Sequence, residues 1–128
     1  MANTAFEAIT TRQSWFAAAA IPKYYAVMID EAGLLAKSDG TRPFAGIVEY
    51  GSAAKDDMIT VVKGAYPALG SEDIAVGDLL TIDAAAAGKF KIADTVADVV
   101  YGVALTPAAA GDLFTIMMND VPLAIPQS

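Results

Sequence analysis

The stretch Tyr101-Gly102-Val103-Ala104-Leu105, a connection from Thr106 to Ala110, and then Gly111-Asp112-Leu113-Phe114-Thr115-Ile116 is written twice in this chain. The fainter copy runs Ala45-Gly46-Ile47-Val48-Glu49, a connection from Tyr50 to Asp56, and Asp57-Met58-Ile59-Thr60-Val61. Each copy has a short apolar run after a glycine, a connection containing Ala-Ala, an aspartate, and a second run ending in threonine plus a β-branched residue. A third piece, Gly77-Asp78-Leu79-Leu80-Thr81-Ile82, repeats the second half. An internal repeat dictates architecture before any other signal does. Two or three weak copies make a small duplicated β unit, not a solenoid. Gly77-Asp78 and Gly111-Asp112 are turn chemistry: glycine permits positive φ, and aspartate bonds its own backbone. Their matched places in the repeat make them structural turn formers. The runs that follow suit a pleated, half-buried surface and are too short for ordinary helices.

Outward from the repeat, short strands alternate with frequent turn signals. Tyr24–Ile29, Leu34–Ala36, Phe44–Glu49, Met58–Lys63, Leu79–Asp83, Lys89–Ala93, Val100–Leu105 and Leu113–Met118 read as strands. Lys63–Asp73, with Gly64, Pro67 and Gly70, reads as an irregular connector between halves. Val121–Pro126 reads as a tail whose prolines exclude it from a central strand. Residues 1–22 differ from the rest and read as an extended N-terminal arm. The domain plan is therefore an arm, 1–22, and one β-rich domain, 23–128, built from duplicated half-units 24–63 and 74–118 sharing one core. The fold class is mainly β, a small sandwich-like or barrel-like domain with short helical turns. Trp15, the only tryptophan, has two readings: a plug for the domain's own core or an anchor for a partner.

Composition excludes several functions. The chain has 128 residues, the size of one domain, and buries roughly two-thirds of its unfolded surface without a staple. It has no cysteine and no histidine. That removes disulfides, thiolate catalysis, the commonest general base and the commonest transition-metal ligands. The net charge of −7 argues against nucleic acid, which needs a basic patch. The longest uncharged run, Val99 to Gly111, contains Gly102 and Pro107, and a membrane span needs ~20 apolar residues. A secretory leader is not expected either, since Glu7 and several threonines precede Arg12. The high mean hydropathy is mostly alanine, which fits a protein that buries surface against copies of itself or a partner.

No catalytic set emerges. Ala87-Gly88-Lys89 lacks the earlier glycine and the Ser or Thr of a phosphate loop, because Asp83 and Phe90 stand there. A serine-histidine triad is impossible. The adjacent acids Asp30-Glu31, Asp56-Asp57 and Glu72-Asp73 all fall in expected turns and read as solvated turn acids. No cofactor and no metal are expected, and the chain is not expected to be an enzyme. Of Met117 and Met118, one is expected in the core and the other facing a partner.

The arrangement G-D-L-L-T-I-D, A-G-K-F-K-I-A, then Y-G-V-A-L-x-P-A-A-A-G-D-L-F-T-I resembles the capsid decoration (cement, or head-stabilising) proteins of tailed bacteriophages, related in fold to the lambda head decoration protein. The resemblance covers residues 64–118 and, as an echo, 24–62. It implies a compact β domain that sits as homotrimers on the outside of an icosahedral shell. The implied partners are the major capsid protein and the chain itself, with neither nucleic acid nor membrane. The implied location is the virion's outer capsid surface, after a period in the host cytoplasm. In such proteins an N-terminal arm clasps neighbouring capsid subunits, so Phe6, Trp15 and Phe16 are the candidate capsid contacts, aromatics being the usual interface anchors. The other reading is a β-barrel carbohydrate-binding or accessory module on a virion or cell surface. It requires exposed aromatics gathered on one sheet face.

Overall fold

The computed structural model describes residues 5–51, 54–95 and 98–124. Nine strands follow in order: β1 (Ala8–Phe16), β2 (Ala26–Ile29), β3 (Leu35–Lys37), β4 (Phe44–Tyr50), β5 (Met58–Leu69), β6 (Leu79–Ile82), β7 (Phe90–Ile92), β8 (Val99–Ala104) and β9 (Leu113–Ala124). A single 3-10 turn, Ala84–Ala86, joins β6 to β7. The strands form one antiparallel sheet in the order β3-β2-β4-β5-β9-β8-β6-β7, with β1 added on β5. The sheet curls into a half-barrel, and no described helix reaches seven residues. The mainly β class read from the sequence is the observed one.

Register places the strands around β5. Val62 lies between Arg12 of β1 and Ile47 of β4. Ala65 lies between Ala8 of β1 and Met117 of β9. β1 therefore holds one edge of β5, while β4 and β9 share the other edge in turn.

This arrangement contains two units of the same connectivity, and β5 belongs to both. In the first, β2 pairs β3 and β4, β4 pairs β5, and β5 pairs β1. In the second, β6 pairs β7 and β8, β8 pairs β9, and β9 pairs β5. Over the pairs that both units make, the registers correspond. Phe16↔Met58 and Arg12↔Val62 in the first become Leu69↔Leu113 and Ala65↔Met117 in the second. The isolated parallel bridges Ala17↔Leu35 and Gly70↔Phe90 match too. The two quoted copies of the repeat are β4–β5 and β8–β9. Gly46 and Gly102 occupy equivalent places for one reason: a Cβ at either would strike a carbonyl oxygen of the neighbouring strand, Val62 or Met117. The third piece behaves differently. Gly77–Ile82 leads into β6, the counterpart of β2, so its likeness to Gly111–Ile116 is a shared turn-into-strand signature and not a third unit.

Each unit buries its own inner face. Val27, Leu35, Val48, Ile59 and Val61 form one cluster in the first unit, closed by Ala17 and Ile21. Leu80, Phe90, Ala104, Phe114 and Ile116 stand at the equivalent places in the second, with Ile74 matching Ile21. The second cluster also takes in Ala26, Ile47 and Val62 from the opposite face of the first unit. Both faces of β2, β4 and β5 are thus covered there, which is why these strands read as unbroken apolar runs.

Two expectations fail at prolines. β5 runs straight through the expected connector at Lys63–Asp73 as far as Leu69, and β9 runs through the expected tail as far as Ala124. Thr115 donates its N–H to Thr106 Oγ1 at 2.8 Å and accepts from Leu105 N at 2.8 Å, so its backbone faces away from β5. Pro67 stands opposite it, at a position that makes no ladder bond to β9. The missing N–H of Pro67 points past the end of β1 and costs the sheet nothing. Pro122 holds the equivalent place, and pairing continues past it at Val100↔Leu123 and Val99↔Ala124. Ile125 and Pro126 lie outside the described residues.

Candidate functional site

The segment expected as an arm contains β1, which is exposed along nearly its whole length. Its antiparallel ladder to β5 is supplemented by two side chains. Arg12 donates Nε and Nη2 to the two carboxylate oxygens of Glu49, at 2.7 and 2.8 Å, reaching across β5 to β4. Trp15 donates Nε1 to the carbonyl of Gly33 at 2.7 Å.

Neighbouring residues of a strand project to opposite faces, and this divides the candidate contacts. Trp15, with Thr11 and Gln13, lines an open groove of about 360 Å³ walled by Ile29, Ala45, Val61 and Lys63. Trp15 joins neither core cluster and remains 39% exposed. Phe16, 49% exposed, lies on the other face opposite Met58, which is 59% exposed. Tyr50, 64% exposed, pairs with Thr60, the next residue on that face. Phe6 stands apart, its backbone bonded both ways to the buried Thr115 hydroxyl at 2.7 and 2.8 Å. The three aromatics are therefore exposed but serve three different places.

A further apolar row crosses the second unit. Leu79 pairs with Val103 and Val103 with Met117, leaving Leu79 and Met117 well exposed while Met118 turns into the core. Sequence reasoning did not single out Leu79, Val103, Met58 or the groove, because their partners come from strands distant in sequence.

Several of the turn acids accept from backbone N–H groups, while Glu31 pairs with Arg42. Asp30 caps Ala32 and Leu34, Glu72 accepts from Ile92, and Asp73 from Ala110. Asp78 accepts from Ala75 at 2.8 Å. Gly77 and Gly111 have φ of +88° and +85°. Gly111 N donates to Gly70 O, and Asp112 N to Ala109 O. Among the described residues no group of three acids converges to hold a metal. Of the tyrosines, Tyr66 and Tyr101 are buried and Tyr24 and Tyr25 half-buried, so Tyr50 is the well-exposed one, and it shares its face with Phe16.

The Arg12 guanidinium holds the nearly buried Glu49 carboxyl below its ordinary range. A carboxylate whose folded pKa is depressed stabilises the fold above its unfolded pKa of about 4.3, and that contribution fades as pH falls through the folded value. Asp39 and Asp83, held down by Thr41 and Ser71, shift the same way. Acid titration should therefore loosen β1 below about pH 4, seen as a red shift in the emission of Trp15. Glu49→Gln should weaken β1 already at neutral pH and flatten that titration. An unaltered titration in Glu49→Gln would refute the assignment.

In shape the chain is similar to the head fiber gp8.5 N base of bacteriophage phi29, at 20% identity and a TM-score of 0.64, covering 88% of this chain and 98% of that one. At that identity the likeness speaks for the fold alone. No curated protein matches the sequence. The family model described as phage cement protein matches residues 8–121, nearly the whole described sheet including β1. The chain belongs to the phage cement protein family, a family of structural proteins of the phage capsid.

Proposed function

We propose that this protein binds the outer surface of an icosahedral phage shell as a homotrimer and stabilises it against the pressure of packaged DNA. Its partner is the major capsid protein, which it meets after a period in the host cytoplasm. The observation that carries the reading is the exposed patch of Phe16, Met58 and Tyr50, left uncovered by every other described element. Large apolar side chains gathered on one face mark an interface. Phe6 extends the contact from the start of the arm.

The mechanism is mechanical. Capsomers under outward load separate only if a bridging trimer lets go of at least one of them. Three linked contacts gain from effective concentration, so each can be weak alone. An acidic body keeps unbound copies soluble at high local concentration.

The test uses DNA-filled heads that lack the protein, challenged by heat or by chelation of divalent cations. Added protein should raise the temperature at which DNA is released. Release at the same temperature with saturating protein would refute the stabilising role.

A further inference from the structure

The face of β1 opposite Phe16 carries a second feature, which the shell contact does not use. Thr11, Gln13 and Trp15 stand on it in file, about 7 Å from one to the next, along the open groove. The buried Leu35 and Val61 form its floor. The Trp15 indole donates Nε1 to the carbonyl of Gly33 at 2.7 Å. That bond satisfies the one polar atom of the ring within the chain and holds an exposed apolar ring in one orientation at the groove's edge. The other polar groups of the groove are unspent. Among the described residues the side chains of Thr11 and Gln13 have no hydrogen-bond partner. The two described ion pairs are Arg12–Glu49 and Arg42–Glu31, so Lys63 has no carboxylate. Its ammonium lies 5.7 Å from the centre of the Phe44 ring, a weaker hold than an anion gives. Asp30, the acid next to Ile29 of the groove, is turned to the N–H groups of Ala32 and Leu34.

We propose that this groove binds an acidic saccharide of the hexuronic type, with a pyranose face on Trp15, its hydroxyls on Gln13 and Thr11, and its carboxylate on Lys63. Each part of the lining answers one part of the ligand. The C–H bonds of a sugar face carry slight positive charge and settle on the negative face of an aromatic ring. Hydroxyls need donors and acceptors side by side, which an amide and a hydroxyl supply. Lys63 is the groove's one charged residue, so charge complementarity asks for an anion there. The net charge of −7 disfavours a densely charged polymer such as nucleic acid. An isolated carboxylate meets Lys63 at contact, while acids more than about 10 Å away are screened by salt. The groove opens on the side of β1 away from Phe16 and Met58, so a copy seated through that patch leaves it open. The inference does not rest on that seating, since the free chain carries the same groove.

The test uses the full chain free in solution, with trigalacturonic acid as the probe. Trp15 is the only tryptophan, so its emission reports this groove alone. The emission should change saturably, with half-saturation at about 1 mM, as suits a small ligand held by few contacts. Calorimetric titration then ranks the variants. Lys63→Gln and Gln13→Ala should each weaken binding about 5–10-fold, and circular dichroism checks that both fold. Maltotriose, which has the rings without the charge, should bind at least about 5-fold more weakly. Triglutamate, which has the charge without the rings, should not bind. Phe16→Asp with Met58→Asp should leave the titration as it is in the wild type, which separates this site from the shell contact. No change in emission up to about 50 mM trigalacturonate, equal affinity for maltotriose or triglutamate, or wild-type affinity in Lys63→Gln would each overturn the proposal.

Discussion

Phe90→Ala is expected to lower the unfolding free energy by about 3–5 kcal/mol. Phe90 is fully buried and stands edge-on to two rings, Phe44 at 6.5 Å and Phe114 at 6.4 Å. Phe44 belongs to the first unit and Phe114 to the second, so the Phe90 ring joins the two. Its loss opens a cavity at their junction and costs the edge-to-face contacts as well. Leu35, the counterpart in the first unit, lies in the smaller cluster. Leu35→Ala should cost about 2–4 kcal/mol. Urea unfolding of both variants measures the difference. A loss under about 1 kcal/mol for Phe90→Ala would mean that the site collapses freely and that the units are not held through it.

Phe16→Asp with Met58→Asp should all but abolish binding to shells while leaving the fold and the self-association in place. Both side chains are exposed and paired across β1 and β5, so the body loses little. An interface anchor is worth about 2 kcal/mol or more. Three arms bound together multiply the loss, giving about a 10⁴-fold fall in apparent affinity for a trimer. Wild-type occupancy in the variant would show that the shell contact lies elsewhere. Trp15, on the opposite face of β1, supplies the control: Trp15→Ala should leave the shell contact largely in place.

Much of the fold was legible in the sequence where chemistry is local. Glycines followed by aspartate marked turns, and apolar runs marked strands. Gly46 and Gly102 marked the repeat because a close backbone approach forbids any side chain at either place. The rest of the repeat was hidden for a physical reason. Equivalent positions meet different surroundings, so Val62 is buried where Met117 is bare, and Ala45 faces a groove where Tyr101 fills a core. β1 showed no periodicity because both its faces meet solvent. The full length of β5 and β9 was masked by Pro67 and Pro122, and only register, not composition, shows that the missing N–H of Pro67 is harmless and that pairing continues past Pro122. The groove and the exposed row were beyond sequence reasoning because each is assembled from three or more strands.

The most direct test of the central claim is co-sedimentation of the purified full chain with emptied heads of its own phage, followed by density mapping of the complex. The account predicts saturable binding, with three-fold density on the outer surface and β1 at the line of contact with the capsid subunits. Failure to bind at saturating protein, or density placed inside the shell, would contradict it.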